Sequence, residues 1–310
     1  QDNTSGQEFY NEYWNIEDDN IFAYTTTIGG VTQMPDLELK TEFMDWKPNN
    51  LWDYKKDGNI YYIDHHQSHA AYAYLNSGFD ESDILAIDGR GYKYNTVFFD
   101  KNGTPHDLNL SIGELWDYFS KELGFGTLGA SKVMGLVGYG KSRKILMKLY
   151  MLLDEFWSME DRKDKKIWYQ LWKIIQQENP RHIAYTLQQA TQERIMDAVK
   201  KYKTSDNLCV TGGVAYNGYM NELLTEEWKN VFVPPAPGDE GQALGTYMHA
   251  DYTLNNNIHI PDVYAGKEYE FIGDEKVDIK EVAQAIADGK IIGWFQGKSE
   301  SGHRALGNRS

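Results

Sequence analysis

Residues 207–250 alternate twice between a short apolar run and a helical pattern, with glycine near each junction. The run NLCVTGGVAYN at 207–217 predicts a strand that ends at paired glycines, followed by the short helical pattern NGYMNELL. The run NVFVPPAP at 230–237 predicts the next strand, and GDEGQALGTYMHA at 238–250 predicts the helix after it. Strands that alternate with helices and are flanked by glycine turns indicate an α/β fold.

The rest of the chain extends this pattern at both ends. Residues 181–202 predict the clearest helix, because their apolar side chains lie on one side with charges opposite. Residues 1–58 are polar, aromatic and weakly periodic, which predicts irregular structure with short helices. The remaining expectations are two strands around a glycine turn over 83–105, a helix over 114–125, a glycine-punctuated loop over 129–141, a polar linker near 251, a helix over 279–290 and a strand over 291–298.

Three of the eight histidines fall within five positions of DHHQSHAA, residues 64–71. An apolar strand pattern leads into this stretch and a helical pattern leaves it, so the histidines lie at a strand-to-helix junction. His65 and His69 are four residues apart and share one face of the first helical turn, whereas His66 points elsewhere. Two such imidazoles can chelate one transition metal, but the same stretch also fits a polar patch at a helix start. Both interpretations stay open on these residues alone.

Glycine follows an apolar strand at two further places. In IDGRG, residues 87–91, Asp88 ends the strand and Gly-x-Gly allows backbone N–H groups to approach a phosphate, although Asp-Gly alone is typical of a simple turn. In TGGVAYN, residues 211–217, paired glycines let backbone amides face an anion or a nucleotide. The spacing is that of neither the P-loop nor the dinucleotide fingerprint. In GDEG, Asp239 is either a helix N-cap or a third metal ligand.

Charge and cysteine content narrow the classes of function. The net charge is −15, from 31 basic and 46 acidic residues, which argues against a nucleic-acid backbone as the main partner. Cys209 is the single cysteine, so an intramolecular disulfide framework is excluded. No run approaches the ~20 apolar residues of a membrane span, and we expect a cytoplasmic location with no membrane partner. Because the chain begins without Met and ends at Ser310 within a motif, we expect a fragment of a longer protein.

Taken in order, DHHQSHAA, LAIDGRG, KVMGLVGYG, TGGVAYN, PAPGDEGQALG and GKSESGHRALGNRS resemble the NodU-like O-carbamoyltransferase family, over residues 64–310. The resemblance implies a two-lobed actin-like (ribonuclease-H-like) α/β domain over residues 1–250, with 1–80 as the end of the first lobe and 81–250 as the second. It implies that residues 251–310 are a linker and the beginning of a truncated YrdC-like α/β domain.

The resemblance also implies an activity and a set of site residues. The activity is formation of a carbamoyl-adenylate from ATP and carbamoyl phosphate, followed by carbamoyl transfer to a hydroxyl of a small-molecule acceptor. A divalent metal, usually iron, is the expected cofactor. The implied residues are His65, His69 and Asp239 for the metal, Asp88, Gly89 and Gly91 for the first phosphate loop, Gly212, Gly213 and Asn217 for the second loop, Lys132 with Gly135 in the K-x-M-G-L stretch beside the nucleotide, and Arg304 for carbamoyl phosphate.

Three departures from the family pattern qualify this expectation. The family's N-terminal strands, with a catalytic histidine, have no match here, so the catalytic residue is unassigned. The YrdC-like domain stops early, and His303 stands where the family has proline. For these reasons full turnover by the chain as given is not expected.

Three other functions compete with the leading one. Threonylcarbamoyl transfer to tRNA shares the core, but the acidic net charge and the GHRALGNRS end argue against it. A non-catalytic nucleotide-binding protein and a hydrolase with a metal-bound water are the others, and the hydrolase would leave the paired glycine loops unexplained. Segments rich in Tyr and Trp make a homo-oligomer plausible.

Overall fold

A computed structural model of the chain describes residues 22–26, 46–58, 60–89, 95–141, 146–158, 165–260, 262–268, 277–302 and 308. Within these residues, no helix combines the length and the apolar character that crossing a membrane requires. The strands are β1 (Phe22–Thr26), β2 (Lys55–Asp57), β3 (Ile60–Asp64), β4 (Asp83–Ile87), β5 (Thr96–Phe99), β6 (Pro105–Asp107), β7 (Asn207–Thr211) and β8 (Asn230–Phe232). The α-helices are α1 (His65–Ser77), α2 (Ile112–Glu122), α3 (Ala130–Leu136), α4 (Leu146–Ser158), α5 (Lys165–Gln177), α6 (Pro180–Lys200), α7 (Gly218–Leu224), α8 (Gln242–Asn255) and α9 (Ile279–Ala287).

The larger sheet has five strands in the order β6-β5-β4-β7-β8. Strands β4, β5 and β6 form an antiparallel meander, and β7 and β8 extend it in parallel with β4. This order is that of a ribonuclease-H-like lobe, so the predicted α/β fold class is confirmed. A smaller sheet has the order β1-β3-β2, in which β1 and β3 are parallel.

Helices cover both faces of the five-stranded sheet, and strand β4 shows how the residues divide. Leu85 and Ile87 belong to the large apolar cluster formed with helices α2 to α6, whereas Ile84 and Ala86 pack with residues of α1. Side chains alternate between the two faces of a strand, so a strand buried on both faces is apolar throughout. All five residues of β4 are buried.

Helix α8 packs closely against α1 because glycine lies at their contact. A Cβ atom on Gly245 would lie 2.0 Å from the carbonyl oxygen of Ser68, so any larger residue would push the two helices apart. The Thr246 hydroxyl donates a hydrogen bond of 2.9 Å to the Ser68 hydroxyl at the same place. The first residues of α8 therefore lie beside the first turn of α1, where the histidines are.

The structure corrects three of the local expectations. Residues 129–141 are not a loop: they form α3 and the 3₁₀ turn Val137–Tyr139, because Val133 and Val137, four apart, are both buried. Residues 291–298 are not a strand: Phe295 and Lys298 are isolated bridge residues, the latter paired with Glu268, and Ile291 is fully exposed. Of residues 1–58, β1 and β2 are strands rather than irregular structure, and residues 1–21 and 27–45 lie outside the described part.

Candidate functional site

The first turn of α1 is fixed by a reciprocal cap. Oδ1 of Asp64 accepts from the backbone N–H of Gln67 at 3.4 Å, and Oε1 of Gln67 accepts from the backbone N–H of Asp64 at 2.9 Å. This is a capping box, in which two residues at the helix start satisfy each other's backbone donors. The Gln67 amide also donates to the carbonyls of Asn50, Leu51 and Asp53. The polar-patch interpretation therefore holds for Asp64 and Gln67, whose side chains position the helix.

The two histidines predicted to share a face do so, and they face a carboxylate. Nε2 of His65 lies 2.7 Å from Oδ2 of Asp88, and Nε2 of His69 lies 3.6 Å from the same oxygen. Both imidazoles are buried, and their rings meet edge to face with centroids 4.8 Å apart. The prediction that His65 and His69 share one face of the helix is confirmed, and this face lies against the carboxylate of Asp88.

A second carboxylate closes the cluster from the other side. Oδ1 of Asp239, in the 3₁₀ turn Asp239–Gly241 just before α8, lies 3.3 Å from Nε2 of His69 and 3.8 Å from Nε2 of His65. The ligating atoms of His65, His69, Asp88 and Asp239 all lie within 4.8 Å of one another. The Asp239 side chain is 68% exposed and the Asp88 side chain 12%. The cluster is thus buried on three sides and open at Asp239.

The charges of the cluster depend on one another. Burial alone would lower the pKa of His69, but its hydrogen bonds to Asp239 and Asp88 outweigh burial and raise the pKa to about 9. Burial alone would raise the pKa of Asp88, but hydrogen bonds from His65 and His69 hold it well below 3.8. Burial lowers the pKa of His66 well below 6.5, and the neighbouring His65 and His69 add to this effect. A cation would have to displace the proton of His69, because a ligating imidazole is deprotonated.

The two glycine turns meet at this cluster. Strands β4 and β7 are parallel neighbours, so their carboxyl ends lie at one edge of the sheet, where ligands of open α/β sheets bind. A Cβ atom on Gly212, whose φ is +89°, would lie 2.1 Å from the carbonyl oxygen of Ile87, which requires glycine there. The backbone N–H of Gly213 donates to Oδ1 of Asp88 at 3.2 Å. Gly89 is contacted by the start of α2, where a Cβ on Gly113 would lie 2.6 Å from its Cα.

The other residues predicted for the site fall into three groups: one that caps a helix, two that are exposed, and two outside the described residues. Asn217 caps α7 and exchanges two hydrogen bonds with Gln188, of 3.1 and 2.8 Å, so its side chain holds the end of the second glycine turn. Lys132 and Gly135 are exposed on α3, and among the described residues no hydrogen bond joins them to the cluster. Gly91 and Arg304 lie outside the described residues.

Two features were not predicted from the sequence. Asp88 was assigned to a phosphate loop alone, and the structure also places its carboxylate among the imidazoles. Gln242, the first residue of α8, contacts Nδ1 of His65 and lies 3.3 Å from Nε2 of His69 through its side-chain amide. The sequence does place Gln242 three residues after Asp239, on the first turn of the following helix. Its contacts with the histidines could not be predicted, because they depend on the packing of α8 against α1.

The residues of the cluster fit a divalent transition metal. Two imidazole nitrogens and two carboxylates, one buried and one exposed, offer ligand atoms close enough together for one ion. Imidazole nitrogen suits transition metals such as iron and zinc. Two histidines and one carboxylate with open positions form a set typical of iron(II) sites. The cluster is open to solvent on the side of Asp239.

Two family models match the chain. The one described as Carbamoyltransferase N-terminus matches residues 18–248, and the one described as Carbamoyltransferase C-terminus matches residues 283–310.

Individual proteins are similar over different extents. Nodulation protein NolO of Bradyrhizobium diazoefficiens is 31% identical over 294 residues, 80% of this chain and 52% of the relative. The 3'-hydroxymethylcephem-O-carbamoyltransferase of Streptomyces clavuligerus is 35% identical over 116 residues, 33% of this chain and 22% of the relative. A solved structure of the activator of the 2-hydroxyisocaproyl-CoA dehydratase from Clostridium difficile, with bound ADPNP, is 16% identical with a TM-score of 0.44, covering 67% of this chain and 74% of that one. The chain spans about half the length of the curated relatives that it matches over most of its own length.

Proposed function

The chain belongs to the carbamoyltransferase family, and from this premise we propose that the protein is an ATP- and metal-dependent O-carbamoyltransferase. The resemblance carried by the ordered motifs is thereby confirmed at the level of the family. In the proposed reaction, carbamoyl phosphate is hydrolysed to carbamate and phosphate. A carbamate oxygen then bonds to the α-phosphorus of ATP, pyrophosphate leaves, and carbamoyl-adenylate results. An acceptor hydroxyl oxygen finally bonds to the carbamoyl carbon, AMP leaves, and the hydroxyl proton is released.

The observation that carries this proposal is the convergence of the histidine cluster with two glycine turns at one sheet edge. His65, His69, Asp88 and Asp239 bring nitrogen and oxygen ligands together. The turn at Gly212 and Gly213 lies directly against Asp88, so backbone N–H groups and a metal would face the same space. A nucleotide triphosphate needs both, because its charge is stabilised by a cation and by backbone amides.

Each residue has a proposed part in this site. His65, His69 and Asp239 hold the metal, with Asp88 either as a further ligand or as the acceptor that orients His65. When bound, the metal supplies Lewis-acid polarisation of phosphate oxygens. Gly89, Gly91, Gly212 and Gly213 are proposed to let the backbone approach the nucleotide closely, with Asn217 holding the second turn. Lys132 is proposed to bind the nucleotide, and Arg304 to bind carbamoyl phosphate. The buried imidazoles exclude water from the inner side of the cluster.

The acceptor is proposed to be a small molecule with a hydroxyl group. The relative from Streptomyces clavuligerus is named for a hydroxymethyl acceptor, and the net charge of −15 is unfavourable for a nucleic-acid acceptor. A cytoplasmic location is consistent with the single cysteine, Cys209, which is buried and unpaired with another cysteine.

The test of the activity is ATP–pyrophosphate exchange. With labelled pyrophosphate, ATP and Fe²⁺, the full-length protein is expected to return label to ATP only when carbamoyl phosphate is present, because the first transfer is reversible. Exchange that is absent with and without carbamoyl phosphate would favour a non-catalytic nucleotide-binding protein. Exchange that is replaced by net phosphate release from ATP would favour a hydrolase.

The metal is tested separately on the purified chain. Metal content after loading with Fe²⁺ is expected to fall at least about tenfold in His69→Ala, since one of the few protein ligands is lost. His106→Ala is the matched control, because His106 stacks on Tyr202 away from the cluster. Equal metal content in wild type and His69→Ala would leave the cluster as a polar helix start only.

A further inference from the structure

The side-chain amide of Gln242 contacts both histidines of the cluster. It faces Nδ1 of His65 directly and lies 3.3 Å from Nε2 of His69. Gln242 is 8% exposed, so water does not compete freely for these contacts. A buried amide without hydrogen-bond partners is destabilising, so these contacts stabilise the Gln242 side chain where it lies.

His65 is held from both of its ring nitrogens. Nε2 faces Oδ2 of Asp88 at 2.7 Å, and Nδ1 faces the amide of Gln242. In the neutral ring one nitrogen donates and the other accepts. With the proton on Nε2, the ring donates to Asp88 and accepts from the Gln242 N–H. The contacts seen in the structure thus suit the ring without a metal on Nε2.

A ligating imidazole requires the opposite arrangement. When Nε2 is a ligand, the ring proton is on Nδ1, and that N–H needs an acceptor. A half-turn of the Gln242 amide about its last side-chain bond replaces its nitrogen with its oxygen at the same place. Glutamine is therefore one of the few residue types that can serve His65 in both arrangements, since its amide carries a donor and an acceptor.

We propose that Gln242 is a positioning residue for the metal site, which accepts the Nδ1 proton of His65 when Nε2 becomes a ligand and donates to Nδ1 when it does not. This rests on the metal site of the proposed function. The position of Gln242 on α8 is fixed by the packing of Gly245, three residues further along the helix, against the carbonyl of Ser68. The amide can turn, but its Cα is held.

Three variants test this role. Gln242→Met keeps the length of the side chain and removes donor and acceptor; Gln242→Glu keeps the acceptor. Thr246→Val is the matched control, because it removes a buried hydrogen bond to Ser68 on the next turn of α8 without touching a histidine. For each we would measure the Kd for Co²⁺, the visible absorption of the Co²⁺-loaded chain, and the thermal midpoint of the metal-free chain.

The expected result separates the three variants. Gln242→Met should weaken Co²⁺ binding by about 10- to 100-fold and change the Co²⁺ spectrum, because the loss of an outer partner reorients the ligand. Gln242→Glu should stay within a few-fold of wild type, and Thr246→Val should keep the wild-type Kd and spectrum.

Other results have distinct meanings. A wild-type Kd and spectrum in Gln242→Met would overturn the role of Gln242 and leave the metal site standing. So would an equal loss in Thr246→Val, which would show that helix position alone matters, or a loss in Gln242→Glu as large as in Gln242→Met. Failure of the wild-type chain to bind Co²⁺ or Fe²⁺ would instead overturn the metal site itself.

Discussion

Strand β4 carries a buried aspartate at each end, and the two have opposite surroundings. Asp83, its first residue, accepts hydrogen bonds from the backbone N–H groups of Thr204 and Ser205 at 2.9 and 3.0 Å and from the indole N–H of Trp228 at 3.0 Å. The Thr204 hydroxyl donates to its other oxygen at 2.6 Å. Asp88, just after the last residue, faces the imidazoles of His65 and His69 and the backbone N–H of Gly213.

The difference lies in what the partners can do. The partners of Asp83 are hydrogen-bond donors that do not titrate near neutral pH and do not form a metal site. The Asp83 carboxylate therefore has a structural role. The imidazoles facing Asp88 can lose a proton and bind a cation, and a second carboxylate, Asp239, stands beside them. Burial of a carboxylate alone therefore does not mark a site; exchangeable partners and an opening to solvent do.

The largest effect is expected at Asp83. Asp83→Ala leaves three N–H groups and the Thr204 hydroxyl without their acceptor, and we expect a loss of about 3–5 kcal/mol in the free energy of unfolding. Co²⁺ affinity of the remaining folded protein should be unchanged. Urea denaturation measures the first and a Co²⁺ titration the second. Glu81→Ala, an exposed change two residues away, should cost less than about 0.5 kcal/mol. A cost below about 1 kcal/mol for Asp83→Ala would remove the contrast.

The complementary change at Asp88 should affect binding more than folding. Asp88→Asn keeps an oxygen for the N–H of Gly213 but removes the charge opposite His65 and His69. We expect Co²⁺ affinity to fall by about 10- to 100-fold, and the free energy of unfolding to fall by less than in Asp83→Ala. The same titration and denaturation curves measure both. If Asp88→Asn unfolded as readily as Asp83→Ala, both aspartates would be structural.

Much of the fold could be predicted from local patterns. The alternation of strands and helices after residue 207 and the helix over 181–202 follow from periodicities of side chains buried on one face. The predicted strand over 291–298 was wrong because an apolar run is not sufficient without a neighbouring strand to bond with, and Ile291 is fully exposed. The loop predicted over 129–141 was wrong because glycines were weighted above the spacing of Val133 and Val137.

The site could be predicted only in part. The i, i+4 spacing was enough to bring His65 and His69 together, because a helix fixes that geometry. The approach of Asp88 depends on the pairing of β4 with β7 and on the packing of α1 against that sheet, which no local pattern contains. Gln242 is more distant still, since its contacts depend on the glycine-mediated packing of α8 on α1.

That packing gives a third way to separate the two ends of β4. Gly245→Ala places a methyl group 2.0 Å from the Ser68 carbonyl, so α8 must shift away from α1. We expect a loss of about 1–3 kcal/mol in stability and a weaker Co²⁺ affinity, because Asp239 and Gln242 move with α8. Amide hydrogen exchange at Thr204 and Ser205, whose N–H groups bond to Asp83, should keep its wild-type protection in the folded state. A variant with unchanged Co²⁺ affinity would show that the cluster does not depend on this helix contact.

The smallest effect concerns acid and the same helix. His249 on α8 is buried with its Nε2 donating to the carbonyl of Leu51 at 2.8 Å, and burial lowers its pKa from 6.5 to about 4 despite that bond. Folding thus favours the uncharged ring: the full stability is present above pH 6.5 and is lost as the pH falls from 6.5 towards 4, where the unfolded chain binds a proton that the folded chain does not. This contributes at most about 1.4 kcal/mol per pH unit.

The amide and indole donors around Asp83 do not titrate in this range. Of these two regions, the α8 side should therefore account for the loss of stability in acid. The pKa of His66 is shifted in the same direction as that of His249 and the pKa of His69 in the opposite direction, so the slope of the wild type contains more than the contribution of His249. His249→Gln keeps an N–H that can reach the Leu51 carbonyl and removes one titrating group. Urea denaturation between pH 5 and 8 should therefore give a shallower loss of stability in His249→Gln than in wild type, with the two curves parallel above about pH 7. Curves that stay parallel down to pH 5 would mean that His249 is protonated in the folded protein, and acid would then not distinguish α8 from the Asp83 end of the sheet.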